Sequence, residues 1–147
     1  MPARKRKEKS RVSIIGTGRL GTTLAVALAS RGYTIRSLVA RTEKNARKAA
    51  RLLDAEVQVL AAKQLRTLIG ADLFVITVPD DQIAGVAQQL SEIDADPNVT
   101  ALHTSGALSS DVLAPLREKG WHTGSIHPLM SVSAVESMNG RCEIPAT

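Results

Sequence analysis

Short apolar runs alternate with stretches of helical periodicity along most of the chain. Residues 12–15 (VSII) form the first run, and 72–78 (DLFVITV) the clearest, near-continuously apolar as strands buried on both faces are. Further strands are predicted at 33–40 (YTIRSLVA), 57–60, 98–103 and 121–127, with one more at 141–145. Between them, Leu20, Leu24, Ala27 and Leu28 share one face of a helix that Gly32 stops. Thr42 caps a second helix reaching about residue 53, and residues 63–69 make a short one closed by Gly70. Asp80 or Asp81 caps a helix with Ile83, Val86, Ala87 and Leu90 on one stripe. Ser109 or Asp111 opens the last helix, with Pro115 in its first turn, and Gly120 ends it after Lys119. This β-α-β-α alternation predicts an α/β fold: a doubly wound, mainly parallel sheet with helices on both faces.

The junction of the first strand and first helix reads Gly16-x-Gly18-x-x-Gly21. In a strand–turn–helix context these glycines make a tight turn, admit a pyrophosphate close to the backbone, and let helix and strand pack closely. The helix N-terminus then presents its unpaired N–H groups and positive dipole end to the phosphates. Gly16, Thr17, Gly18, Arg19, Leu20 and Gly21 are therefore assigned to a dinucleotide, and the fold to the Rossmann type. The turn lacks the Gly-Lys-Ser/Thr ending of a triphosphatase loop, and no G-x-S-x-G elbow supports hydrolase chemistry.

An acidic residue at the end of the second strand would accept the ribose 2′-hydroxyl of NAD; here that point reads Val39-Ala40-Arg41-Thr42. Arg41 can pair a 2′-phosphate and Thr42 can donate to it, so NADP is expected over NAD. Lys44, Arg47, Lys48 and Arg51 follow on one helix face, with Lys48 and Arg51 read as solvated.

Composition narrows the setting. The chain has 147 residues, 44% hydrophobic, about one domain's worth. The formal charge of +5 resides in residues 1–11, which hold six basic residues and one acid and are expected to form a disordered arm; residues 12–147 form the domain and are neutral. With one Trp, one Tyr and one Phe, base-stacking platforms are nearly excluded, and no nucleic-acid partner is expected. No apolar run approaches the roughly eighteen residues of a membrane span, so no membrane partner is expected. A single cysteine, Cys142, fits a reducing compartment, and the cytoplasm is expected. His122, His127 and Cys142 do not form a convincing metal set, and no metal is expected.

Three further segments, VPDDQI, HTSGAL and SIHPL, follow the fourth, fifth and sixth strands. Together with the glycine turn they resemble a group of Rossmann-like proteins similar to pyrroline-carboxylate reductase, hydroxyisobutyrate dehydrogenase and prephenate dehydrogenase, over about residues 12–132. The resemblance implies oxidoreductase chemistry on a small-molecule substrate. It also implies a helical C-terminal domain that closes the substrate pocket and dimerises. These 147 residues do not include such a domain, so the chain reads as the N-terminal half, with a homodimer as the expected assembly.

Ligands of open α/β sheets bind at the carboxyl ends of the strands, where every residue singled out falls. Val78, Pro79 and Asp80 are expected along the nicotinamide ribose. His103 is expected as general acid/base, Ser105 as a hydrogen-bonding group to the substrate oxygen, and His127 as a substrate-anion or proton-exchange group. The sequence thus reads as the NADP-binding domain of an oxidoreductase that transfers hydride between NADP(H) and a small carbonyl, hydroxy or imine substrate. The alternative is a non-catalytic dinucleotide-binding module acting through a partner.

Overall fold

The computed structural model describes residues 10–95 and 98–127. Most of the basic arm, the expected strand at 141–145, and Pro128 and Leu129 of SIHPL lie outside the described residues. The described chain forms six strands: β1 (Arg11–Ile15), β2 (Thr34–Ala40), β3 (Gln58–Ala61), β4 (Leu73–Ile76), β5 (Thr100–His103) and β6 (His122–Ser125). They lie in one sheet in the order β3-β2-β1-β4-β5-β6, and every neighbouring pair is parallel. The order reverses between β1 and β4, which creates the crevice where such sheets take ligands.

Helices α1 (Arg19–Ser30) and α2 (Glu43–Ala50) cover one face; Ala25, Ala46 and Ala49 pack there with Val12, Ile14, Leu38 and Val75. The other face holds α3 (Asp80–Leu90), a 3-10 helix at Ala62–Thr67, and α4 (Ala114–Arg117), around Phe74, Ile76, Ile83, Leu90 and Leu116. Phe74 and Trp121 stack in that core with ring centroids 5.2 Å apart. Strand alternation is interrupted once. The β1–β2 register shifts so that Val12 opposes Ile35 while Ser13 opposes Ser37, leaving Arg36 without a partner on β1. This bulge is why Ile35 and Leu38, three apart, reach the same core.

Several boundaries differ from the sequence expectation. β4 ends at Ile76, so Thr77 and Val78 belong to the loop beyond it. The helix expected to follow Asp111 divides into a 3-10 turn at Ser110–Leu113 and the single turn of α4, because Pro115 carries no N–H to continue the ladder. Pro79 is the N-cap of α3, and Asp80 and Asp81 occupy its first turn, where their charge suits the helix dipole. α1 closes as expected: the N–H groups of Gly32 and Tyr33 return to the carbonyls of Ala29 and Leu28, with Gly32 at φ 90°.

Arg11, assigned to the arm by sequence, is the first residue of β1 and ties it to the segment leading into β4. Its backbone N–H donates to Asp72 Oδ2 at 2.9 Å, and its guanidinium donates to both carboxylate oxygens at 3.3 and 3.2 Å. The Arg11 side-chain bonds first, then its backbone N–H, hold the Asp72 carboxyl below the usual carboxylate range. Because the folded value is depressed, the stabilisation is present above about pH 4 and is lost as pH falls through that lower folded value. Asp72→Asn is expected to cost up to about 1 kcal/mol at neutral pH, since the pair is partly solvated, and to flatten the acid limb of a stability–pH curve. Urea melts from pH 2 to 7 check this; curves of identical shape for both proteins would refute it.

Candidate functional site

The carboxyl edge at the β1/β4 switch point is built around Gly16, which leaves β1 at φ 105°. Its N–H donates to the Val39 carbonyl of β2 at 2.7 Å. On the other side, Thr77 donates its N–H to the Ile15 carbonyl at 2.8 Å, and its hydroxyl lies 2.5 Å from the Gly16 carbonyl. α1 then approaches so closely that a Cβ on Gly21 would sit 1.8 Å from the Gly16 oxygen. Gly21 is thus required by packing, as its place in the motif predicts. Gly18 differs: a Cβ there would meet nothing within 4 Å, so protein packing does not demand glycine and open space faces its backbone.

Gly18 is also the N-cap of α1, with no side-chain cap and no acidic residue in the first turn. Among the described residues, the N–H groups of Thr17, Gly18, Arg19 and Leu20 have no hydrogen-bond partner. Uncapped donors at the positive end of a helix dipole, beside a glycine with open space, fit the pyrophosphate of a dinucleotide.

The turn opens on a cleft of about 880 Å³. Of the residues assigned to the cofactor from sequence, Gly16, Thr17, Gly18, Arg19, Leu20, Arg41, Val78 and Pro79 line it. Gly21, Thr42 and Asp80 do not. Gly21 lies beneath the turn, and Asp80 starts α3, where Gln82 reaches the cleft instead. Thr42 caps α2, its Oγ1 accepting the Asn45 N–H at 3.2 Å.

Sequence reasoning missed Asn45, Lys48 and Leu52, which line the cleft beside Arg41. Lys48, read as solvated, is exposed and also borders the cleft, on a face shared with Asn45 and Leu52, three and four residues away. Arg51 is equally exposed but lies outside the cleft, and Arg47 is engaged in an ion pair with Glu43. Among the described residues the lining therefore carries three cations, Arg19, Arg41 and Lys48, and no carboxylate.

The three residues assigned to catalysis lie elsewhere. His103, the last residue of β5, has no exposed surface. Its Nδ1 accepts the Ser105 N–H at 3.1 Å, which places the ring proton on Nε2, where it donates to the Ser109 carbonyl at 2.9 Å. Both nitrogens are occupied inside the protein, so the imidazole organises the 104–109 loop and offers no nitrogen to the cleft. Ser105 Oγ accepts the N–H groups of Ala107 and Leu108, each at 3.1 Å, making a turn and keeping its own hydrogen to donate. His127 is exposed, and its ring lies over Gly106: a Cβ there would be 3.0 Å from Cε1. Thr104 is the one residue of this loop that lines the cleft.

The parallel sheet, its switch point and the glycine turn define a dinucleotide-binding domain of the open doubly wound type. The chain belongs to the Rossmann-like domain family, whose sequence model matches residues 2–128. Its fold is similar to that of a Bacteroides fragilis protein described as a candidate NADP oxidoreductase, with 26% identity and a TM-score of 0.69 over 84% of this chain and 45% of that one. It is also similar to prephenate dehydrogenase of Aquifex aeolicus, solved with hydroxyphenyl propionate and NAD+ (19% identity, TM-score 0.67, 85% of this chain and 43% of that one). A candidate oxidoreductase of Mycobacterium avium shares the fold at 20% identity and a TM-score of 0.66, over 84% and 44%. This chain thus spans under half the length of these structures. No curated protein matches it. No helix among the described residues is long and apolar enough to cross a membrane.

Proposed function

We propose that this domain binds NADP(H) and is the cofactor-binding part of an oxidoreductase acting on a small carbonyl, hydroxy or imine substrate. The observation that carries the cofactor choice is the wall beyond β2, where Arg41, Asn45 and Lys48 line the cleft with no acid beside them among the described residues. Two cations and an amide suit a 2′-phosphate dianion, whereas a bare ribose diol has no carboxylate there to bind. Leu52, 45% exposed, gives the same wall an apolar surface for the adenine. At the opposite end, Val78, Pro79, Gln82 and Thr104 form a mixed wall against which a nicotinamide can be oriented. The bound nicotinamide would supply or accept the hydride.

Each charge-assisted contact to a phosphate is worth about 1.5–3 kcal/mol, so losing both in Arg41→Ala with Lys48→Ala is expected to weaken NADPH by roughly 100-fold or more and leave NADH nearly unchanged. Fluorescence titration with both nucleotides checks this; tighter binding of NADH than of NADPH by the unaltered chain would overturn the assignment.

One observation favours a second reading, a non-catalytic dinucleotide-binding module acting through a partner. Among the described residues the cleft lining contains no histidine and no carboxylate, and His103 is occupied within its own loop. Under the enzymatic reading, the proton donor comes from the exposed His127 or from outside the described residues. Hydride exchange from NADPH to a panel of small carbonyls, by this chain and by longer forms, separates the two readings.

A further inference from the structure

We infer that Thr77 is a positioning residue for the dinucleotide, fixing the glycine turn so that its N–H groups face the phosphates. This rests on the dinucleotide reading, and its test on NADP being the dinucleotide. The Thr77 hydroxyl has one hydrogen and two carbonyls within reach, Ile15 at 3.2 Å and Gly16 at 2.5 Å, so the shorter contact to Gly16 takes it. Because a trans peptide is planar, holding the Gly16 C=O toward β4 turns the Thr17 N–H of the same plane the opposite way. Thr17 lines the cleft, and its N–H has no partner among the described residues.

The Gly16 carbonyl has little other freedom. It lies between the Thr77 hydroxyl and the Cα of Gly21, and a Cβ on Gly16 would itself meet Thr77 Oγ1 at 2.8 Å. Thr77 therefore sets the height of the turn over the end of β4 as well as the direction of its first peptide. Valine in its place would put a methyl against that carbonyl. A carbon–oxygen contact needs about 3.3 Å, so the turn would shift by roughly 0.8 Å and the peptide would lose its tether.

The test compares Thr77→Val and Thr77→Ser in this chain with two probes. NADPH spans the whole cleft; adenosine 2′-phosphate engages only the Arg41–Lys48 end and has no phosphate at the glycine turn. The expected result for Thr77→Val is a loss of about tenfold or more in NADPH affinity with adenosine 2′-phosphate binding unchanged. Thr77→Ser, which keeps the hydroxyl, should restore NADPH affinity to near that of the unaltered chain. Unchanged NADPH affinity in Thr77→Val would overturn the inference. Equal loss of both probes would overturn it too, since the effect would then be on the fold and not on the turn. If the unaltered chain binds no dinucleotide, the inference falls with the dinucleotide reading, a result recognisable before any variant is made.

Discussion

Gly21→Ala is expected to abolish measurable NADPH binding and to destabilise the domain by about 2–3 kcal/mol, a fall of roughly 10 °C in its melting midpoint. The direction is opposite to what helix propensity predicts. Within a helix, alanine is favoured over glycine by about 1 kcal/mol. Here the added methyl would lie 1.8 Å from the Gly16 oxygen and 2.5 Å from Thr77 Oγ1. The first is a backbone atom, so no rotamer change relieves the contact, and α1 must lift from β1. The donors at the helix start then leave their positions over the cleft. Gly18→Ala is the control. With nothing within 4 Å of its Cβ, it should melt like the unaltered domain while its methyl crowds the phosphates. Thermal melts with NADPH titrations check the pair; a Gly21→Ala protein that melts normally and binds NADPH would show that the close approach is not required.

His103→Ala should cost about 2–4 kcal/mol in stability, the second large effect. The substitution leaves a cavity beside the end of β5 and removes the partners of the Ser105 N–H and the Ser109 carbonyl. A histidine poised in an open active site would behave otherwise: its removal would spare the fold and abolish turnover. Urea denaturation distinguishes the two roles, and an unchanged midpoint would contradict the buried role.

The glycine turn was legible because its requirements are local. A strand, a positive-φ glycine and a helix start lie within ten residues, and each leaves its own sign in the sequence. The parallel sheet and the gathering of strand ends at one edge followed from the same alternation. What escaped depended on neighbours distant in the chain. Lys48 looked like one cation among four, and only the relation of α2 to β2 separates it from Arg51. His103 lies two residues beyond the buried Ala101, a spacing that places it on the same face. In a strand paired on both sides, however, alternation does not tell a buried face from a ligand-facing one. Thr77 had no distinguishing signal, since threonine after an apolar run reads simply as more strand. Its role comes from the Gly16 carbonyl, 61 residues earlier.

That separation in sequence orders events during folding. β1, α1 and β2 are consecutive and can associate over short loops, with Gly16 bonding to Val39 within that unit. β4 joins β1 only after a much longer closure, whose entropy opposes early contact. The glycine turn is therefore expected to acquire its anchor on β4 after its contact with β2 has formed. The segment with the clearest sequence signature is thus expected to become competent for its ligand only once β4, far along the chain, has docked beside β1.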